Sequence, residues 1–152
     1  MADRTTPYLA FNFQVALSQG SGSQVSGGFS DVSGLSTEIT EAEYRPGNAQ
    51  ENHADKYPGV YKTGDVTLKR GLMRATDIHD WVEEVRTTGF KGKKDSVVVT
   101  LLDEQRTPVA TWTLRSVSPK KWTGPTLAGK GGADVAMEEL VLSVEKIEFA
   151  LV

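Results

Sequence analysis

Hydrophobic and polar residues alternate along several short stretches of the chain, which is the pattern of half-buried β-strands. In the first stretch, residues 8–17, one face carries only apolar side chains: Leu9, Phe11, Phe13, Val15 and Leu17. A second strand is predicted through Val25, Phe29 and Val32. A short third strand contains Val66 and Leu68. The first half of the chain therefore favours β-structure.

The second half predicts a β-hairpin followed by a loop. Residues 96–102 form a β-branched run, and residues 109–117 alternate with Trp112 on the apolar face. The residues between these two runs are typical of a turn. Residues 119–132, around Trp122, are rich in Lys, Gly and Pro and predict a loop.

The C-terminal segment, residues 134–149, fits two patterns. A strand would align Leu140 with Leu142 on one face, whereas a helix would align Met137 with Leu140. Periodicity alone does not decide between them.

One amphipathic helix is predicted at about residues 77–88. Apolar residues recur there at i, i+3, i+4 and i+7 and form one stripe: Ile78, Trp81, Val82 and Val85. Gly89 is suited to end the helix. We expect this helix to lie across a sheet and bury Trp81.

The region between the second and third strands differs from the rest. Apolar and polar residues alternate only weakly over residues 36–44. A strand there would have two solvent-exposed faces or one face that meets another subunit. Residues 45–64 show no periodicity, and structureless segments of this length are uncommon unless they have a function. We expect a long loop at about residues 45–64 that serves as a binding or assembly arm; a flexible surface loop is the alternative.

These elements predict a mainly β fold. Strands do not alternate with helices, so a doubly wound parallel sheet is not indicated. We expect two packed antiparallel sheets that form a β-sandwich or barrel, with one short α-helix on the side. A length of 152 residues favours a single domain over residues 1–152.

Composition excludes several classes of function. The net charge of −3 argues against a basic nucleic-acid-binding face and against a polybasic membrane surface. The absence of cysteine excludes disulfides and thiol catalysis. No apolar run approaches the roughly 20 residues of a membrane helix. The N-terminal residues lack the apolar region of a signal peptide, so we expect synthesis in the cytoplasm.

Three patterns suggest chemistry, and each has a simpler explanation. Residues 124–131 have the spacing of a P-loop, but Gly131 stands where magnesium binding requires Ser or Thr. His79 and Glu83 have metal-ligand spacing without a visible third ligand, so a solvated helix face with a Glu–Arg pair is favoured. His53 and Asp55 suggest a Ser-His-Asp arrangement, but the sequence contains no GxSxG nucleophile-elbow motif, so polar residues of a flexible or interface loop are favoured. We expect no enzyme activity, no metal and no cofactor.

A set of short motifs resembles the inner tube proteins of contractile phage tails and related extracellular injection systems, the phage T4-like tail tube family. They follow one another in order from about residue 8 to 147: GFSDVSGL at 28–35, EYR at 43–45, PG at 58–59, TLKRG at 67–71, DW at 80–81, LLD at 101–103, Trp112, KWTGP at 121–125 and MEELVL at 137–142. Each motif is short, and the ordered set is fairly specific.

The resemblance implies a subunit that forms hexameric rings stacked into a hollow tube, driven through a target envelope when a sheath contracts. It implies that the C-terminal segment, residues 134–149, is a strand and that residues 124–131 bind no nucleotide. It also implies several partners: other copies of the chain, a sheath protein, baseplate and spike proteins, and a tape-measure protein or effector cargo in the lumen. No specific nucleic acid and no membrane insertion of the monomer are implied. The chain would be part of an assembled particle, either retained in the cell or released from it.

The resemblance also assigns two groups of residues. The arm is expected to supply an assembly interface with neighbouring subunits or rings: Tyr44, Arg45, Asn52, His53, Lys56, Tyr57, Pro58, Gly59 and Tyr61. The family motif and core residues are Phe29, Gly34, Leu35, Leu68, Trp81, Trp112 and Trp122. The alternatives are a hexameric tube protein of type VI secretion and a monomeric β-sandwich binding module.

Overall fold

Ten β-strands and one α-helix make up the described part of the chain. A computed structural model describes residues 4–18, 24–72, 77–89, 94–132 and 134–152. In chain order the elements are β1 Phe13–Ser18, β2 Gln24–Gly27, β3 Asp31–Ser33, β4 Thr37–Tyr44, β5 Asp55–Thr63, β6 Val66–Gly71, α1 Asp77–Thr88, β7 Lys94–Leu102, β8 Pro108–Thr123, β9 Met137–Ser143 and β10 Lys146–Leu151.

Eight strands form two antiparallel layers that share β8. The first layer has the order β2-β1-β7-β8-β10, and the second has the order β8-β9-β6-β3. The remaining strands, β4 and β5, form a separate two-stranded hairpin. The fold is therefore mainly β, with two antiparallel sheets and one helix, as the sequence predicts.

β8 reaches both layers because it is long and irregular in the middle. It pairs with β7 up to Val117 and with β9 from Ser118 onward. Ser116, just before this change, has φ 55°. A positive φ is uncommon for a residue other than glycine, and such irregularities bend strands. The bend lets one strand serve two sheets.

The core lies between the two layers and beneath α1. β6 and β9 place Leu68 opposite Leu140 and Val66 opposite Leu142, and all four side chains are buried. The first layer adds a matching set of buried residues: Val15, Leu17, Val97, Val99, Leu114 and Val117. Period-two alternation on both layers produces this two-sided core.

α1 covers one side of this core. Ile78 and Trp81 are buried, and Val82 and Val85 are half-buried against them. The helix ends at Thr88 and is followed by Gly89, whose φ of 62° is the left-handed conformation that glycine adopts readily. The predicted helix and its apolar stripe are confirmed.

The first two strands predicted in the chain differ in extent from the strands observed. The strand predicted at residues 8–17 begins only at Phe13. Arg4 donates hydrogen bonds to the carbonyl oxygens of Thr6 and Pro7, and this holds the preceding segment in another conformation. The second predicted strand is split into β2 and β3, because the chain leaves the sheet to bury Phe29.

The loops predicted at residues 45–64 and 119–132 are also wrong in part. β5 occupies Asp55–Thr63, so only residues 45–54 connect the two strands of a hairpin. β8 continues to Thr123, and its end pairs with β9. The C-terminal segment forms strands β9 and β10, which confirms the strand and excludes the helix.

The described residues of one chain do not close a barrel. β2 and β10 are the outer strands of the first layer, and β3 is the outer strand of the second. No described strand pair joins these edges to one another.

Candidate assembly surface

The β4–β5 hairpin, with its connecting turn, forms an arm that exposes almost all of its side chains. We call residues 37–63 the arm. Within its two strands every residue is exposed except Thr63, which is half-buried. Sheets normally bury at least one face, so both faces of this hairpin are free to meet another molecule.

Cross-strand pairs hold the arm together. Glu38 lies opposite Lys62, and Glu43 lies opposite Lys56. Opposite charges at such positions stabilise a hairpin by about 0.2–1 kcal/mol each. The register shifts by one residue near Gly59, where a Cβ would lie 3.0 Å from the carbonyl oxygen of Thr40. A bulge with glycine accommodates this close approach and increases the local twist.

The root of the arm is tightly fixed to the body. Gly34 has φ 85°, and a Cβ there would overlap the backbone oxygen of Asp65. The amide of Gly64 donates to the carbonyl oxygen of Ser36 at 3.0 Å. Thr63 Oγ1 donates to the carbonyl oxygen of Glu145 at 3.1 Å. The arm therefore leaves the body at a defined position.

Arg45 organises the turn at the tip of the arm. Its guanidinium donates to the carbonyl oxygens of Glu51 and Ala49, each at 3.2 Å, and to Asn52 Oδ1 at 3.5 Å. His53 pairs with Glu51 rather than with Asp55. These contacts give the turn a fixed shape and leave no catalytic arrangement of His53 with an acid and a nucleophile among the described residues.

The nine residues predicted to form an assembly interface are brought together on this arm. All of them are exposed, and five belong to β5: Lys56, Tyr57, Pro58, Gly59 and Tyr61. The aromatic side chains show high exposure, at 62% for Tyr44, 53% for Tyr57 and 51% for Tyr61. Their role as an interface stays a prediction, because this structure describes a single chain.

The predicted motif and core residues fall into different environments. Leu68 and Trp81 are fully buried, Phe29 is buried, and Leu35 is half-buried against the core. Gly34 serves the root of the arm. Trp112 is half-buried, and its ring centroid lies 5.4 Å from that of Phe149, with the two rings tilted by 41°. Trp122 is 36% exposed and lies edge-on to His79 at 5.5 Å.

A buried ion pair, which the sequence reasoning missed, connects these motif residues. Arg70 on β6 lies opposite Glu138 on β9, and Arg70 Nε donates to Glu138 Oε1. Both side chains are almost completely buried. Trp122 Nε1 donates to Glu138 Oε2 at 3.3 Å, and the Arg70 guanidinium lies 5.7 Å from the ring of Phe29. Both charged residues lie within the family motifs, which was the one signal that marked them.

The patterns that suggested chemistry do not form a site. Residues 124–131 are followed by strand β9, whereas a P-loop requires a helix there. Glu83 accepts a hydrogen bond from Arg86 at 2.6 Å and lies 4.0 Å from His79, which matches the expected solvated pair. Among the described residues there is no cluster of three or more potential metal ligands. None of the described helices has the length and hydropathy required to span a bilayer.

Comparison with protein families gives one match over most of the chain. The family model described as T4-like virus tail tube protein gp19 matches residues 9–148. No curated protein sequence matches the chain significantly.

Solved structures share the fold over at least nine tenths of the chain. A chain in the six-fold symmetrised baseplate of the anti-feeding prophage is 24% identical, with 97% of each chain covered and a TM-score of 0.85. A chain in the extended sheath–tube complex of PVC, an extracellular contractile injection system, is 23% identical, with 97% of this chain and 94% of that chain covered and a TM-score of 0.83. Hcp1 from Flavobacterium johnsoniae is more distant, with 12% identity, 90% and 93% coverage and a TM-score of 0.51.

Proposed function

Because the chain belongs to the T4-like virus tail tube protein family, we propose that it is a structural subunit of the rigid inner tube of a contractile injection system. Copies of the chain form hexameric rings, and the rings stack into a hollow tube. Contraction of a surrounding sheath drives this tube through a target envelope, and cargo travels in the lumen. The chain acts mechanically and has no catalytic role.

The observation that carries this proposal is the exposed arm. Its two strands extend from a fixed root and bury no face within the described chain. A monomeric protein that exposed such a hairpin would risk unwanted pairing and aggregation. In a polymer the next copy covers the same surface, so the exposed hairpin carries this risk only outside an assembly.

The free strand edges support ring formation. In one chain β2, β10 and β3 each lack a strand on one side among the described residues. Pairing an edge of one copy with an unlike edge of the next is a heterologous contact, which closes into a ring when the rotation permits. Backbone hydrogen bonds across such contacts remove the edges and resist shear during sheath contraction.

The proposed partners follow from this role. The similar chains come from a baseplate and from a sheath–tube complex. We therefore propose that this chain contacts a sheath protein on the outside of the tube and baseplate or spike proteins at its end. A tape-measure protein or an effector would occupy the lumen. The chain would function as part of an assembled particle, whether retained in or released from the cell.

The mass of the purified chain in solution tests the proposal. Six copies of the 16.5 kDa chain give a ring of about 99 kDa, and stacked rings give larger multiples. A variant in which Tyr57 and Tyr61 are both changed to Ser tests the arm, and a Thr126→Ser variant in an exposed loop is the control. We expect rings or tubes from the parent chain and from the control, and smaller species from the arm variant. Monomers alone at high concentration would contradict the proposal and favour a β-sandwich binding module.

A tube of type VI secretion is the second candidate, because Hcp1 shares the fold at lower similarity. The higher TM-scores with the prophage and PVC chains favour the phage-like branch. Co-expression with sheath proteins of each kind distinguishes the two, since only the matching sheath is expected to copolymerise around the tube.

A further inference from the structure

A second exposed apolar surface, which we call the rim, lies around the β7–β8 turn. The N-terminal segment reaches it because Leu102 N donates to the carbonyl oxygen of Asn12 at 2.8 Å. The C terminus reaches it because Val152 N donates to the carbonyl oxygen of Val109 at 3.0 Å. The rim consists of four exposed apolar side chains: Leu9, Phe11, Leu151 and Val152. Phe11 is 66% exposed and Leu151 is 73% exposed, so the fold itself covers little of this surface.

The turn at the centre of the rim is rigid and presents a cation. Asp103 Oδ1 accepts hydrogen bonds from the amides of Gln105 at 2.9 Å and Thr107 at 2.8 Å. Glu104 is paired with Arg4 at 2.8 Å. Arg106 has φ 64°, an uncommon conformation for this residue, and no ion pair is found for its guanidinium among the described residues. Strained residues that surrounding contacts hold in place tend to mark functional sites.

The arm carries the complementary surface. β4 contains three glutamates and no cation. Glu38 and Glu43 have lysines opposite them, whereas Glu41 lies opposite Pro58. Since residues two apart on a strand share a face, Ile39 lies on the face of Glu41, together with its cross-strand neighbour Tyr61. This face therefore combines apolar side chains with one unbalanced carboxylate.

The two surfaces lie at opposite ends of β10. The root of the arm contacts Glu145, immediately before β10 begins at Lys146. The rim contains Leu151 and Val152, where β10 ends. A contact between such unlike surfaces on successive copies is heterologous and repeats from copy to copy. It produces an open filament when the rotation between copies does not close it into a ring.

We propose that the arm of one copy lies on the rim of the next copy along the tube. Ile39 and Tyr61 of the arm cover Phe11 and Leu151 of the rim. Glu41 pairs there with Arg106. This contact rests on the proposed function, because it requires that the chain stacks, and it identifies which two surfaces join successive rings.

Cysteine cross-linking tests the contact directly, because the parent chain contains no cysteine. A Tyr61→Cys, Leu151→Cys double variant is assembled and treated with a short bismaleimide. The control is Tyr61→Cys with Glu84→Cys, which places the second thiol on the exposed face of α1. We expect a ladder of cross-linked multimers from the first pair and none from the control. Cross-linking of the control pair to the same extent would overturn the proposed contact.

Charge exchange provides an independent readout. Placing like charges together at an interface costs several kcal/mol, so Arg106→Glu is expected to raise the concentration needed for stacking by at least about tenfold. Combining Arg106→Glu with Glu41→Arg restores stacking, whereas Lys130→Glu in an exposed loop leaves it unchanged. Stacking by Arg106→Glu as in the parent, or failure of the exchanged pair to restore it, would overturn the pairing. If the parent chain forms rings or tubes but the Tyr61→Cys, Leu151→Cys variant gives no cross-linked multimers, only the proposed contact is wrong. If the parent chain forms neither rings nor tubes, the proposed function fails together with the contact.

Discussion

Removing one partner of the buried Arg70–Glu138 pair should strongly destabilise the folded chain. In Arg70→Met the carboxylate of Glu138 stays buried, and the hydrogen bond from Trp122 Nε1 at 3.3 Å is a weak replacement for the guanidinium. Breaking a buried pair in this way typically costs about 3–5 kcal/mol. A domain of this size has a total stability of about 5–15 kcal/mol, so the loss is a large fraction of it.

An exposed ion pair in the same protein provides the matched control. Arg115 and Glu148 are 3.3 Å apart, and about half of each side chain is exposed. Exposed pairs contribute about 0–1 kcal/mol, so Arg115→Met should have a small effect. The double variant Arg70→Met, Glu138→Leu should regain most of the loss, because replacing a buried pair with apolar residues is often neutral or better.

Urea denaturation followed by tryptophan fluorescence measures these differences. The concentration must be low enough to prevent assembly, because association raises apparent stability. We expect the midpoint for Arg70→Met to fall well below that for Arg115→Met at an unchanged slope. If the two variants unfold within about 1 kcal/mol of each other, the buried pair does not hold β6 to β9 as described.

Two further predictions concern the root of the arm and the N-terminal segment. Gly34→Ala should destabilise the chain by more than about 1 kcal/mol, because alanine disfavours a positive φ and its Cβ would overlap Asp65. Gly28→Ala is the control in thermal unfolding, because a Cβ at Gly28 meets no atom within 4 Å. Equal melting temperatures of the two variants would refute the argument. The hydrogen bond from Arg4 lowers the pKa of Glu104 to about 2, so this pair stabilises the fold at neutral pH and the contribution is lost as pH falls from about 4.5 toward 2. Carboxyl NMR titration should show the pKa of Glu104 rising in Arg4→Ala, and an unchanged pKa would refute the pairing.

Much of the body could be predicted from the sequence, because its strands bury one face. Alternation placed Val15, Val66 and Leu114 on strands, and all three are buried. The helix was predictable for the same reason, since Trp81 and its neighbours recur at helical spacing. Apolar periodicity that arises from a buried face predicts a strand or helix without knowledge of the strands that pair with it.

The arm could not be predicted in the same way. Neither face of β5 is buried in the single chain, and Pro58 and Gly59 interrupt any alternation, so periodicity did not mark it as a strand. The continuation of β8 was missed because Lys120 and Trp122 contact residues distant in sequence. Lys120 forms an ion pair with Asp65, and Trp122 donates a hydrogen bond to Glu138. Pairing between Arg70 and Glu138 likewise depends on the register of two strands 68 positions apart.

At the start of β1, alternation misled because no neighbouring strand pairs with the chain there. Leu9 and Phe11 continue the apolar pattern of β1, but the neighbouring β7 ends at Leu102 and offers them no ladder. Their side chains are exposed instead. An apolar pattern that continues beyond the paired strand therefore marks an exposed apolar surface in this chain.

Electron microscopy of the purified chain tests the central claim most directly. Images should be recorded at high protein concentration and over a range of salt concentrations, with the arm variant beside the parent chain. We predict hollow tubes or six-fold rings from the parent chain, and loss of stacking when the arm is altered. Uniform monomeric particles under all of these conditions would contradict the account of this protein as a tube subunit.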